Sequence, residues 1–275
     1  GLAYGLLGEM EDRGANFHRS IDAHKEALKI YLKINLPLEY AATQNSLARI
    51  YCALAETEDP AGNYKRAIQA YQVVLSIFTK DRFPVEHAAA WNNLGNAYNI
   101  LAELEEKKEN IQRAIQAYQG LLGVYSKEYF PLDYAVTQTT LGNLYSKLAA
   151  LEKSAPDCKR AIECYEEALK IKTLASSPID WAMTQGSIGN IYCILAEIES
   201  KGPHCKKGIE SFREALKVLT PEAFPLQSAS IRDSLGKAYR QLAEVENKAE
   251  NCRLAIQNLQ EALKVRTADC FPVQY

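Results

Sequence analysis

Four histidines, seven cysteines, a column of glutamates and a stripe of amides are the side chains of this sequence best equipped for chemistry. His18, His24, His87 and His204 are too few and too dispersed for a metalloenzyme. His18 and His24 stand six apart, whereas a helical zinc pair needs a step of about four. Cys52, Cys158, Cys164, Cys193, Cys205, Cys252 and Cys270 form an odd set without a C-x-x-C pair, which fits reduced cysteines of an intracellular, cytoplasmic chain better than a disulfide framework. Cys158, Cys205 and Cys252 share one phase of a repeat and are expected as small buried hydrophobes; Cys52 and Cys193 share another. Glu58, Glu105, Glu152, Glu199 and Glu246 recur too far apart for paired acid–base work. They are expected to pair with Lys65, Arg66, Arg113 or Arg160 on a solvated face. No catalytic residue, metal ligand or cofactor is therefore assigned, and the chain is read as a non-enzyme. The amides are different: each offers a donor and an acceptor at once, as needed to hold a peptide backbone whatever its side chains.

The elements that position these groups follow from a strict period. Pro37, Pro84, Pro131, Pro178, Pro225 and Pro272 recur every 47 residues. Tyr51 to Tyr239, Leu54 to Leu242 and Ala55 to Ala243 keep the same phase, without strand-like alternation, which marks a helical solenoid. Each unit holds two amphipathic helices. The first starts at or just after the proline, with an acidic residue (Glu39, Glu86, Asp133, Asp180) at the positive end of its dipole. The second is announced by Asn16, Asn63, Asn110, Asp157 and Asn251, read as N-caps accepting from orphan amides, with His204 the weak member. Pro60, Pro156, Pro203 and Pro221 are placed in connectors. Phe83, Phe130, Phe224 and Phe271 are expected at the junctions between units. Gly95, Gly142, Gly189 and Gly236 sit mid-helix at a cost of roughly 0.5–1 kcal/mol each against alanine, so backbones are expected to approach closely there.

The reading is thus all-α, one solenoid domain: residues 1–36 a partial first repeat, then repeats at 37–83, 84–130, 131–177, 178–224 and 225–271, with 272–275 starting another. The missing initiator methionine and the phase of Gly1 suggest a chain cut from a longer array. Composition agrees with a globular protein, at 47% hydrophobic and 24% charged. No stretch is long and apolar enough to span a bilayer, no secretory leader is visible, and a net charge of −2 gives no pull toward nucleic acid or membrane.

In the unit from Pro84, the residues Trp91, Leu94, Gly95, Tyr98, Ala114, Tyr118 and Pro131 match the pattern W-x2-L-G-x2-Y, A-x3-F, P, which resembles the tetratricopeptide repeat. Gln44, Gln138, Gln185 and Arg232 replace the tryptophan elsewhere, and Gly208 replaces the second-helix alanine. Each unit exceeds the usual repeat of about 34 residues, and the extra residues lengthen the first helix, as in the kinesin-light-chain branch. The resemblance implies a right-handed superhelix whose concave groove is lined by first helices.

With Leu47, Tyr51 and Leu54 as core, positions 42, 45, 49, 52, 53 and 56 fall on the opposite side. Across units that stripe holds Asn45 and Asn92; then Arg49, Asn96, Asn143, Asn190 and Lys237; then Cys52, Asn99, Ser146, Cys193 and Arg240. Asparagine is a poor helix former, so its recurrence inside a helix points to use. The resemblance adds that peptide-binding relatives often line their groove with asparagines. The candidate partner-binding residues are Asn45, Arg49, Asn92, Asn96, Asn99, Asn143, Asn190, Lys237 and Arg240, with Arg49, Lys237 and Arg240 as anchors for an acidic or carboxylate group. Three functions stand: a scaffold holding a peptide or partner protein, a sensor array of a larger signalling protein or ATPase, and a self-associating solenoid. An asparagine ladder bonding only neighbouring repeats is the plainer account of the amides.

Overall fold

The computed structural model describes residues 1–265, which form twelve helices and no strand. These are α1 (Leu2–Met10), α2 (Arg13–Lys33), α3 (Pro37–Leu54), α4 (Pro60–Ile77), α5 (Pro84–Leu104), α6 (Lys107–Leu122), α7 (Pro131–Glu152), α8 (Ala155–Leu169), α9 (Pro178–Ile198), α10 (Lys201–Leu216), α11 (Pro225–Leu242) and α12 (Lys248–Val265). Cys270, Phe271 and Pro272, with the start of a further repeat at 272–275, lie outside the described residues. The chain divides into two compact units, Gly1–Tyr129 with α1 to α6 and a second from Phe130 with α7 to α12. Within each, every helix packs on its neighbours in the chain.

Odd-numbered helices from α3 onward open on their proline, where the missing N–H is one that no helix could satisfy. Pro60, Pro156 and Pro203 obey the same rule: they lie in the first turns of α4, α8 and α10, not in connectors. Phe83 packs on Phe78 with ring centroids 5.1 Å apart, where α4 gives way to α5, and Phe224 packs on the core built from α9 to α12. Phe130 is 43% exposed.

The asparagines before the second helices are not caps. Asn16, Asn63, Asn110 and Asn251 are buried inside their helices, and each Nδ2 donates back to a carbonyl: Glu11 at 3.0 Å, Glu58 at 2.8 Å, Glu105 at 2.9 Å and Glu246 at 2.8 Å. The bond braces a tight turn, because the residue between (Asp12, Asp59, Glu106, Asn247) has positive φ, a conformation costing an L-residue roughly 1–2 kcal/mol. Asp157 cannot donate in this way. There Ser154 caps the helix by accepting from the Asp157 N–H at 3.3 Å. Where His204 replaces asparagine, Ser200 keeps a negative φ of −51°.

Three of the four glycines of the column receive rings rather than backbone. A Cβ on Gly95 would stand 2.7 Å from the Tyr118 ring, on Gly142 2.6 Å from Tyr165, on Gly189 2.6 Å from Phe212 and on Gly236 2.8 Å from Leu259. In each case the partner lies on the following helix; at Gly95, Gly142 and Gly189 the missing side chain lets the two helices of a pair close over a buried ring, whereas Gly236 meets the half-buried Leu259 and the Ala255 carbonyl. Further bonds tie a second helix to the next first helix: Gln72 Nε2 donates to the Tyr98 hydroxyl at 3.2 Å and Arg213 to that of Tyr239 at 2.5 Å.

The glutamate column pairs with bases, with Lys65 as expected and the three arginines not. His18 meets Glu58 and Lys65 meets Glu105, each at 2.5 Å; Lys159 meets Glu199 and Lys206 meets Glu246, each at 2.9 Å. Each base reaches the glutamate at the end of the next first helix. Arg66, Arg113 and Arg160 instead bind Asp59, Glu109 and Asp157 beside them. Apart from Arg160–Asp157, whose carboxylate is buried, these pairs are largely exposed and screened, so they contribute little to stability.

Two outcomes follow. Gly95→Ala gains helix propensity but drives a methyl into a ring that is 2% exposed, so unfolding free energy should fall by about 1–3 kcal/mol. A urea midpoint equal to or above that of the parent would contradict the ring–glycine contact. The second concerns alkali. Burial holds the Cys52, Cys158 and Cys164 thiols at about 11 against an ordinary 9.0, and pushes the Tyr118 hydroxyl up to about 12 against 10.0. Above pH 9 the folded chain keeps protons that the unfolded chain releases. Denaturation midpoints should therefore be flat up to about pH 9 and fall progressively toward pH 12; midpoints unchanged at pH 11 would count against these burials.

Candidate functional site

In the first unit, α1, α3 and α5 border a groove of about 450 Å³. Leu2 and Leu6 of α1, Ile50 and Ala53 of α3, and Ala97 and Ile100 of α5 supply its apolar walls, and Tyr64 and Tyr71 of α4 reach it from below the first helices. Its polar lining is His24, Ser46, Arg49, Cys52, Asn93 and Asn96, with Glu9 and Glu56 as its acids. Glu56 is already paired with Arg13 at 2.5 Å. The exposed Arg49 therefore brings a cation whose charge Glu56 does not take up.

Arg49 and Asn96 thus lie where the face analysis puts them, together with Cys52, Ala53 and Glu56. Asn45, Asn92 and Asn99 do not line the groove and are half-buried; Ser46 and Asn93 stand there instead. The reason is the alanines. Ala41, Ala48 and Ala55 are buried as fully as Leu47 and Leu54, which widens the core-facing arc on one side and turns the open face toward Ser46. Sequence reasoning missed Leu2, Leu6 and Glu9 of α1, and Asn93, which adjoins Asn92 in the same run.

Two of the three amides of the central column are held by tyrosines. The Tyr118 hydroxyl donates to Asn96 Oδ1 at 2.7 Å and the Tyr165 hydroxyl to Asn143 Oδ1 at 2.8 Å, in both cases from the second helix of the same pair. The geometry follows from the glycines: a ring lying on Gly95 or Gly142 carries its hydroxyl to the next residue along the helix. The recurring Gly–Asn dipeptides at 95–96, 142–143 and 189–190 were the available sign of this arrangement. In the first repeat, Tyr71 bonds Cys52 in place of an asparagine, and burial holds both hydroxyl and thiol protonated.

In the second unit Asn143, Asn190, Lys237 and Arg240 are all exposed, on α7, α9 and α11. Lys237 pairs with Asp233 one turn away at 2.7 Å, so its charge is largely spent locally, and Arg240 lies close enough to Glu244 to lower its pKa after the larger effect of Lys201. Gln241 donates to Glu197 at 2.9 Å, linking α11 to α9. Burial pushes the Cys193 thiol up to about 12 and the Cys205 thiol upward, which lowers the reactivity of both. Among the described residues no group of three or more His, Cys, Asp or Glu could hold a metal ion, and no helix is long and apolar enough to cross a membrane.

Known structures share this architecture. BtubC (BKLC) from P. vanneervenii matches with a TM-score of 0.53 at 15% identity, over 93% of this chain and 92% of that one. A MamA protein matches with a TM-score of 0.50 at 16% identity, over 81% of this chain and 93% of that one. Both are tetratricopeptide-repeat proteins, and at such identities the likeness concerns the fold alone. No family model and no curated protein matches the sequence. The chain folds as an all-helical solenoid of the tetratricopeptide type.

Proposed function

We propose that this chain is a non-catalytic interaction scaffold that holds a peptide or partner protein on the face formed by its first helices. The observation that carries the reading is the groove of the first unit, where apolar walls flank the exposed Arg49 and Asn96. A merely solvated helix face would carry lysine and glutamate, as the outer face of α8 does. Apolar walls with a few convergent polar groups are the composition of a ligand site. The even spacing of the helix-opening prolines supports an array of long repeats of the kinesin-light-chain kind, divided at 37–83, 84–130, 131–177, 178–224 and 225–271. The six cysteines among the described residues are unbridged, which suits a cytoplasmic setting.

Self-association is a second reading, favoured by the residues after the helix-opening prolines. Leu38, Val85, Leu132, Ile179 and Leu226 are apolar in every unit yet 41–74% exposed. Sedimentation velocity over a wide concentration range should then show a growing oligomer fraction, and a single monomer boundary throughout would remove this reading.

For the scaffold reading, peptides selected from a random library on the parent chain provide the probe. Asn96→Ala should weaken them roughly three- to tenfold, and Arg49→Ala at least as much for an acidic peptide; the melting temperature should be unchanged in Arg49→Ala and lower in Asn96→Ala, where the buried Tyr118 hydroxyl loses its acceptor. Unchanged affinities in both variants would overturn the groove assignment.

A further inference from the structure

Asn96 and Asn143 differ from ordinary exposed asparagines because one edge of each amide is occupied from below. Tyr118 is 2% exposed and Tyr165 1%; both rings are seated on a glycine, so neither hydroxyl is free to wander. Each lies within short hydrogen-bond distance of an amide oxygen, 2.7 Å for Asn96 and 2.8 Å for Asn143. A phenol is a better donor than acceptor and an amide oxygen a better acceptor than its nitrogen, so the proton runs from tyrosine to Oδ1. Burial keeps both tyrosines protonated far above neutral pH, so this donor role does not titrate away in ordinary conditions.

We infer that Tyr118 and Tyr165 are positioning residues that fix the polarity of Asn96 and Asn143, so that each presents its amide N–H pair outward and recognises hydrogen-bond acceptors, the main-chain carbonyl oxygens of an extended peptide. The inference rests on the reading that the first-helix face binds a ligand. Asn190 supplies the internal contrast. The residue over Gly189 is Phe212, whose ring takes the same seat but carries no hydroxyl. That amide can turn either edge outward and accept as well as donate. Asn96 in the first unit and Asn143 in the second are therefore biased toward donation, and Asn190 in the second is ambivalent.

Two measurements test this on the full chain. The first needs no ligand: side-chain amide relaxation by NMR should show the Asn96 and Asn143 amides more ordered than that of Asn190. Tyr118→Phe should release Asn96, Tyr165→Phe should release Asn143, and Phe212→Tyr should order Asn190. Phe212 shows that the fold accepts phenylalanine in this seat, so the tyrosine variants are expected to fold. Equal ordering of Asn96 in the parent and in Tyr118→Phe would overturn the lock. The second uses a library-selected peptide whose binding depends on Asn96, as shown by loss in Asn96→Ala. Asn96→Asp keeps the oxygen that Tyr118 holds but replaces the outward donor with an acceptor, so affinity should fall tenfold or more, and Tyr118→Phe should lower it threefold or more. Parent-like affinity in Asn96→Asp would overturn the donor assignment. A peptide indifferent to Asn96→Ala would instead count against the groove, and the relaxation data would still decide the tyrosine lock.

Discussion

A buried ring resting on a bare stretch of helix backbone is the contact on which the rest of this molecule depends. Where Gly95, Gly142 and Gly189 omit a side chain, Tyr118, Tyr165 and Phe212 fill the space, and the two helices of a pair close to a fixed distance. Burying a large aromatic side chain is worth on the order of 1.5–3 kcal/mol, more than the glycine costs in helix propensity. The seat fixes more than distance. It carries each hydroxyl through the pair to the opposite surface, so a packing contact also sets the orientation of an exposed amide.

The turn between the helices of a pair is the second constraint. A residue in the left-handed region would be costly alone, and the buried asparagine just beyond it returns a hydrogen bond to the carbonyl just before it. Stability thus lies in ring seats and braced turns, with ion pairs laid over them in solvent. Phe212 keeps the seat without the hydroxyl, and Ser154 provides a capped turn where Asp157 replaces asparagine. Each device tolerates local replacement when an equivalent stands ready.

The helix starts were legible because proline is tolerated only where its missing N–H is not needed, so Pro37, Pro84, Pro131, Pro178 and Pro225 admit one placement. The glycine column was legible as a close approach, but its occupant was not. Nothing local tells Gly95 from a backbone-to-backbone crossing; the ring of Tyr118 enters only once the hairpin closes. Asn63 and Asn110 were misplaced as caps because residue type favours a cap, while the actual boundary is set by the φ of Asp59 and Glu106. Of the residues the face analysis selects, Arg49 and Asn96 line the groove of the first unit, while Asn45 and Asn92 do not, because buried alanines shift the core-facing arc.

The seat on glycine also bears on how the chain reaches its fold. Gly95 and Tyr118 are separated by a single turn between α5 and α6, so the defining contact of a pair forms with a short loop and little closure entropy. Folding dominated by such local contacts is fast, and in a solenoid it can nucleate in any hairpin and spread to its neighbours. Surface chemistry that is set inside one hairpin can diverge by point substitution there, as Phe212 shows, with no need for concerted change along the array.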